Sequence, residues 1–96
     1  MVKTILITGA TDGIGKHLAK KLASQGHHII LHGRNPQKLE LALQEVRAVS
    51  LRGRVSSYLA DFSKLDDVYR LVEEIKRDFQ SIDVLFNNAG LYAGKE

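Results

Sequence analysis

The stretch Thr8-Gly9-Ala10-Thr11-Asp12-Gly13-Ile14-Gly15 decides how this chain folds. An apolar run, Thr4-Ile5-Leu6-Ile7, precedes it, and a helical pattern from Ile14 to Ser24 follows. A glycine-rich turn between a buried strand and a helix suits the holding of phosphate. Glycine lets the backbone take positive φ and lets a ligand come close to it. The helix behind aims free N–H groups and the positive end of its dipole at an anion. The same turn would also join strand to helix with no ligand at all, and a glycine pattern alone does not separate the two readings.

Outward from this turn, strands and helices alternate. Lys3 to Thr8 is a short, nearly continuous apolar run, as expected for a strand buried on both faces. The first helix carries Ile14, Leu18 and Leu22 at i, i+4 spacing, with Ala19 and Ala23 beside them and Lys16, Lys20 and Lys21 on other faces; Gly26 stops it. His28 to His32 reads as the second strand. Asn35 as N-cap and Pro36 at the first helical position start the second helix. Its apolar stripe is Leu39, Ala42, Leu43, Val46 and Val49, and Gly53 ends the turn that follows. Val55 to Ala60 is the third strand, with Asp61 and Phe62 beyond its end. Ser63 then caps a third helix, with Asp66 three residues later in a capping-box-like arrangement. The expected buried face of that helix is Leu65, Val68, Leu71, Val72, Ile75 and Phe79. Ile82 to Phe86 is the fourth strand, and Asn87-Asn88-Ala89-Gly90 follows it.

This order predicts an α/β fold: a partial doubly wound, Rossmann-type parallel sheet of about four strands and three helices, with right-handed crossovers. Leu91 to Glu96 is too short for another element. The outer edge of the last strand and one sheet face would then lack cover. Residues 1–96 therefore read as an incomplete dinucleotide-binding region, or as a chain whose sheet a partner completes, a homo-oligomer included.

The composition narrows the function classes. The formal charge is +3 with 14 Lys and Arg, but the basic residues are scattered and lack aromatic interleaving, so a solvated surface is expected and not a nucleic-acid face. Cysteine is absent, which excludes disulfides and thiolate metal sites and fits a reducing compartment. The apolar run before Gly9 is far shorter than the roughly 7–15 residues of a signal peptide or the roughly 20 of a membrane helix. A cytoplasmic protein with no membrane partner is expected. His28 and His32 share a strand face, but four strand residues span about 13 Å, so one ion cannot bridge them and no metal site is expected.

The candidate functional residues all fall at strand ends, where ligands bind in open α/β sheets. Gly9 would make the tight turn out of the strand, and Gly13 and Gly15 would allow pyrophosphate approach and close helix packing. An NAD site usually places Asp or Glu about 20 residues after the loop to bond the ribose 2′-OH. No acid occurs between Asp12 and Glu40, and Gly33-Arg34-Asn35 stands at the expected place. Arg34 could pair with a 2′-phosphate through its planar fork, or be an exposed loop arginine. Asp12 opposes that pairing, because a carboxylate near a 2′-phosphate repels it. Asp61 could accept from an adenine amino group, or merely shape the turn into the third helix. Asn87 to Gly90, taken alone, would be a turn.

Together these motifs resemble the short-chain dehydrogenase/reductase superfamily. The resemblance rests on Thr8-Gly-Ala-Thr-Asp-Gly-Ile-Gly15, on Asp61, and on Asn87-Asn-Ala-Gly90, in matching order across essentially the whole chain. The loop spacing T-G-x-x-x-G-x-G is similar to that of the main oxidoreductase branch. The resemblance implies that Gly9, Thr11, Asp12, Gly13, Ile14 and Gly15 hold the pyrophosphate, and that Arg34 with Asn35 marks NADP(H) over NAD(H). It implies that Asp61 and Phe62 contact adenine, and that Asn87, Asn88, Ala89 and Gly90 line the cofactor and brace the sheet. It implies an oxidoreductase moving hydride between NADP(H) and a small-molecule carbonyl or alcohol. The family's catalytic Ser, Y-x-x-x-K pair and helix-borne Asn have no counterpart here, so no catalytic residue is assigned and the chain alone is expected to be inactive. Tyr92-Ala-Gly-Lys95 has the spacing Y-x-x-K. The alternative is a non-catalytic dinucleotide-binding or interaction module.

Overall fold

The computed structural model describes residues 1–89. The elements run β1 (Thr4–Thr8), α1 (Gly13–Ser24), β2 (His28–Gly33), α2 (Pro36–Val49), β3 (Val55–Leu59), α3 (Leu65–Asp78) and β4 (Val84–Asn87). The four strands form one parallel sheet in the order β3-β2-β1-β4, with Ile5 opposite Ile29 and Val84, and Ile29 opposite Val55. The expected α/β, Rossmann-type arrangement is therefore present.

Alternation along β1 and β2 splits the core between two faces. Ile5, Ile7, Ile29 and Leu31 pack on one side with Ala19 and Ala23 of α1 and with Leu39, Ala42, Leu43 and Val46 of α2. Leu6 and Ile30 face the other side and meet Leu71 and Ile75 of α3. Burying each such aliphatic side chain contributes about 1.5–3 kcal/mol. The middle of β2 is closed on both faces, since Ile29, Ile30 and Leu31 are all fully buried.

Two of the expected helix faces differ in detail. In α1 the residues against the sheet are the small ones, Gly15, Ala19 and Ala23, which let the helix lie close. Leu18 and Leu22 flank them half-buried, and Ile14 is 63% exposed. In α3 the buried stripe is narrower than the periodicity suggests. Leu71 and Ile75 are buried and Phe79 packs beside them, but Leu65 and Val72 are exposed. The start of α3 also differs from the Ser63–Asp66 capping box. The N-cap position is Lys64, with no side-chain cap hydrogen bond. Ser63 instead donates its N–H and hydroxyl to Asp61 Oδ1, at 3.0 and 2.7 Å. The acid that orders this turn precedes it, so Asp66 has no partner to reach back to.

β4 is an edge strand among the described residues. It begins two residues after Ile82, where Asp83 exchanges hydrogen bonds with Thr4: its N–H donates to Thr4 O at 2.9 Å, and its Oδ2 accepts from Thr4 N at 2.8 Å. Val84 and Leu85 are exposed, and Leu85, opposite Leu6, lies on the α3 side of the sheet. Among the described residues no further strand pairs with β4, while Leu6 and Ile30 on the same face as Leu85 are buried against α3.

Candidate functional site

The carboxyl ends of β1, β2 and β3 converge on a cleft of about 690 Å³. Its lining includes Gly9, Thr11 and Asp12 from the β1–α1 turn, Arg34 after β2, Asp61 and Phe62 after β3, and Ala89 after β4.

The turn has the geometry of an anion cradle. Gly9 and Gly13 take φ of +61° and +56°, the left-handed region that side chains avoid. Asp12 is the N-cap residue of α1 by position, yet its side chain makes no cap hydrogen bond. Its carboxylate turns outward to Lys38 Nζ at 3.3 Å. Among the described residues the first-turn N–H groups of α1 have no side-chain acceptor, and such a helix end favours a bound anion. α2 provides the contrast: Asn35 accepts from Lys38 N at 3.0 Å and closes that helix end internally.

Behind the turn, β4 supplies the floor. Asn88 is fully buried, and its Nδ2 donates to Gly9 O at 2.8 Å. Thr8 Oγ1 donates to Asn87 Oδ1 and accepts from Ala89 N, both at 3.0 Å. Gly15 is glycine for want of space: a Cβ there would sit 2.7 Å from both Asn88 Nδ2 and Gly9 O. Asn88 Oδ1 is buried with no hydrogen-bond partner among the described residues.

The far wall carries the charged groups. Arg34 is exposed and makes no ion pair among the described residues. The hydroxyl and N–H of Ser63 hold the Asp61 carboxyl below the usual carboxylate range, so it is ionised at neutral pH. Asp61 N donates to Asp67 Oδ2 at 2.8 Å, which ties the turn to α3.

Of the residues singled out in the sequence, Gly9, Thr11, Asp12, Arg34, Asp61, Phe62 and Ala89 line the cleft. Gly13 and Ile14 are exposed at the open end of α1, and Gly15 and Asn88 lie buried behind it. Asn35 is committed to the α2 cap and Asn87 to Thr8. Gly90, Tyr92 and Lys95 fall outside the described residues. No group of three metal-ligating side chains occurs among the described residues, and none of their helices is long and apolar enough to cross a membrane.

The sequence reading gave His32 no part in the site. It is 4% exposed, at the base of the cleft. Its Nδ1 accepts from Gly9 N at 3.0 Å, which puts the proton on Nε2, and Nε2 donates to Ala60 O at 2.8 Å. Phe62 stacks on the ring at 4.1 Å and 9°. Burial pushes the imidazole pKa below its usual value, against the pull of Ala60 O. A polar residue one position before the end of a buried strand was the available signal.

Comparison with known proteins is consistent with this geometry. The family model described as short chain dehydrogenase matches residues 3–96. Retinol dehydrogenase 13 of Homo sapiens is 36% identical over 89 residues, 93% of this chain and 27% of that protein. The 11-beta-hydroxysteroid dehydrogenase-like 3 of Arabidopsis thaliana is 36% identical over 90 residues, 94% of this chain and 29% of that protein. Among solved structures, menthone neomenthol reductase from Mentha piperita superposes with a TM-score of 0.82 at 32% identity, covering 92% of this chain and 31% of that one. The chain thus spans less than a third of the length of these relatives.

Proposed function

The chain belongs to the short chain dehydrogenase family, and from that premise we propose that residues 1–96 are the dinucleotide-binding N-terminal part of a cytoplasmic oxidoreductase that uses NADP(H) in preference to NAD(H). When bound, the cofactor supplies or accepts hydride, exchanged with the carbon of a small-molecule carbonyl or alcohol. The relatives' names, a retinol dehydrogenase and a menthone neomenthol reductase among them, support that substrate class.

The observation that carries the reading is the uncapped start of α1 opening onto a cleft whose opposite wall holds Arg34. In this reading the turn from Gly9 to Ile14 binds the pyrophosphate with backbone N–H groups. Phe62 and Asp61 take the adenine, and Asn88 holds the turn in place from below. Arg34 meets the 2′-phosphate with a charged, bidentate fork. The repulsion expected from Asp12 is offset, because its carboxylate is paired with Lys38 at 3.3 Å. The chain holds no Y-x-x-x-K pair, so we assign it binding without turnover.

Titration of the purified protein with NADP+ and NAD+ tests this. NADP+ should bind more tightly by about tenfold or more, the value of one charge-assisted hydrogen bond, and Arg34→Ser should remove the difference. Equal or tighter binding of NAD+ would overturn the preference. Ketone reduction by the 96-residue chain with NADPH would overturn the assignment of binding alone.

A further inference from the structure

We propose that His32 is a positioning residue that ties the glycine turn to the end of β3, so that dinucleotide affinity depends on its neutral imidazole. The proposal rests on the dinucleotide reading above and adds a residue to it.

The ring joins two separate strand ends. On one side it accepts from Gly9 N at 3.0 Å, at the residue whose φ of +61° starts the turn. On the other it donates to Ala60 O at 2.8 Å, one residue before Asp61. Its face stacks on Phe62 at 4.1 Å, so the same ring supports both the phosphate cradle and the adenine wall. Only the tautomer with its proton on Nε2 serves both neighbours. A proton on Nδ1 would face the Gly9 N–H, leaving two donors opposed in a buried place. The turn must then move or lose its acceptor, at the cost that attends an unsatisfied buried group.

Charged groups near the ring do not rescue the imidazolium. Asp12 of the turn is paired with Lys38, and Asp61 accepts from Ser63. Arg34, two residues along, is itself cationic. Asp67 of α3 reaches Asp61 N and not the ring. Tyr58, opposite His32 in the sheet register, gives its hydroxyl proton to Asp78 at 2.6 Å.

Two measurements test the proposal. In the unliganded protein, nitrogen NMR should show His32 with Nδ1 as acceptor, and the Gly9 amide resonance should titrate with the His32 ring. Binding of NAD+, whose pyrophosphate keeps its charge through this range, is then measured between about pH 8 and pH 5, the span in which histidine titrates. The unaltered protein should lose about tenfold in affinity toward the acid end, the scale of one buried hydrogen bond lost. His32→Asn, which offers Gly9 an acceptor that does not titrate, should bind with a flat profile. His32→Ala should bind weakly throughout. An acid loss in His32→Asn equal to that of the unaltered protein would overturn the proposal, as would a Gly9 amide indifferent to the His32 titration. No binding of NAD+ or NADP+ at any pH, with the amide coupling intact, would sink the dinucleotide reading and leave the His32 tie standing.

Discussion

Gly15 is limited by space and not by backbone angle. Any side chain there meets Asn88 Nδ2 and Gly9 O at 2.7 Å, and neither can yield without moving the turn or β4. Gly15→Ala should therefore cost about 1–3 kcal/mol, the usual penalty of overpacking, read as a lower denaturant midpoint. It should also weaken dinucleotide binding, because the turn is displaced. A variant with unchanged midpoint and affinity would show that the contact is softer than its distance. Gly9, Gly15, Arg34 and Asp61 were legible in the sequence because residue type and spacing alone mark them. His32 was not, because its role arises from strand register and from which atoms its two nitrogens meet across the sheet.

Helix starts show what local chemistry can and cannot say. Asn35-Pro36 was legible because both signals act within one turn, and Asn35 does cap α2. At α3 the sequence offered Ser63, but Asp61 captures both the hydroxyl and the N–H of that serine first. Asn35→Ala should destabilise the fold by about 1 kcal/mol, as loss of a cap does. Ser63→Ala should leave α3 stability nearly unchanged, since Ser63 caps nothing; a cap-sized loss on chemical denaturation would restore the capping-box reading. The width of the α3 stripe was illegible for a related reason. Periodicity names every apolar residue on one side, whereas the sheet offers room for Leu71 and Ile75 and leaves Leu65 and Val72 at the margin.

For the molecule as a whole, acid should act in two steps. Burial lowers the pKa of His28, helped by Arg54, and burial likewise lowers that of His32. The unfolded chain then takes up protons that the folded one refuses, so stability is full above the ordinary histidine value of 6.5 and declines as pH falls toward the lowered native values. A second decline starts below the ordinary carboxylate value of 3.8. Asp61, Asp67 and Asp78 hold lowered pKa values there, Asp78 at about 2 through its bonds from Arg77 and Tyr58. Denaturation curves across pH should resolve both; a midpoint that rises as pH drops from 6.5 would contradict the signs. The open edge has its own consequence. Leu85 is 60% exposed on an edge strand, so the 96-residue chain should self-associate at high concentration. Leu85→Lys should reduce that in sedimentation; no change would place the sticky surface elsewhere. The parallel sheet was legible from the alternation of elements. The sequence predicted that one sheet face would lack cover, whereas α3 packs Leu71 and Ile75 onto that second face. The extent of cover at Leu85 depends on which helices cross the sheet there, and no local pattern states that.

The strand order also sets a sequence in time. β1–β2 and β2–β3 are neighbours in the chain, each joined through a single helix, whereas β4 returns to β1 across a separation of 79 residues between Thr8 and Asn87. Closing the longest loop costs the most chain entropy before its contacts repay it. β4 should dock last, and substitutions in it, such as Phe86→Ala, should speed unfolding far more than they slow refolding in stopped-flow traces. Asn88, the floor beneath Gly9, arrives with that strand. The cradle is thus complete only once β4 has docked, and on the proposed reading a bound dinucleotide would latch that last step, adding its binding free energy to the folded state.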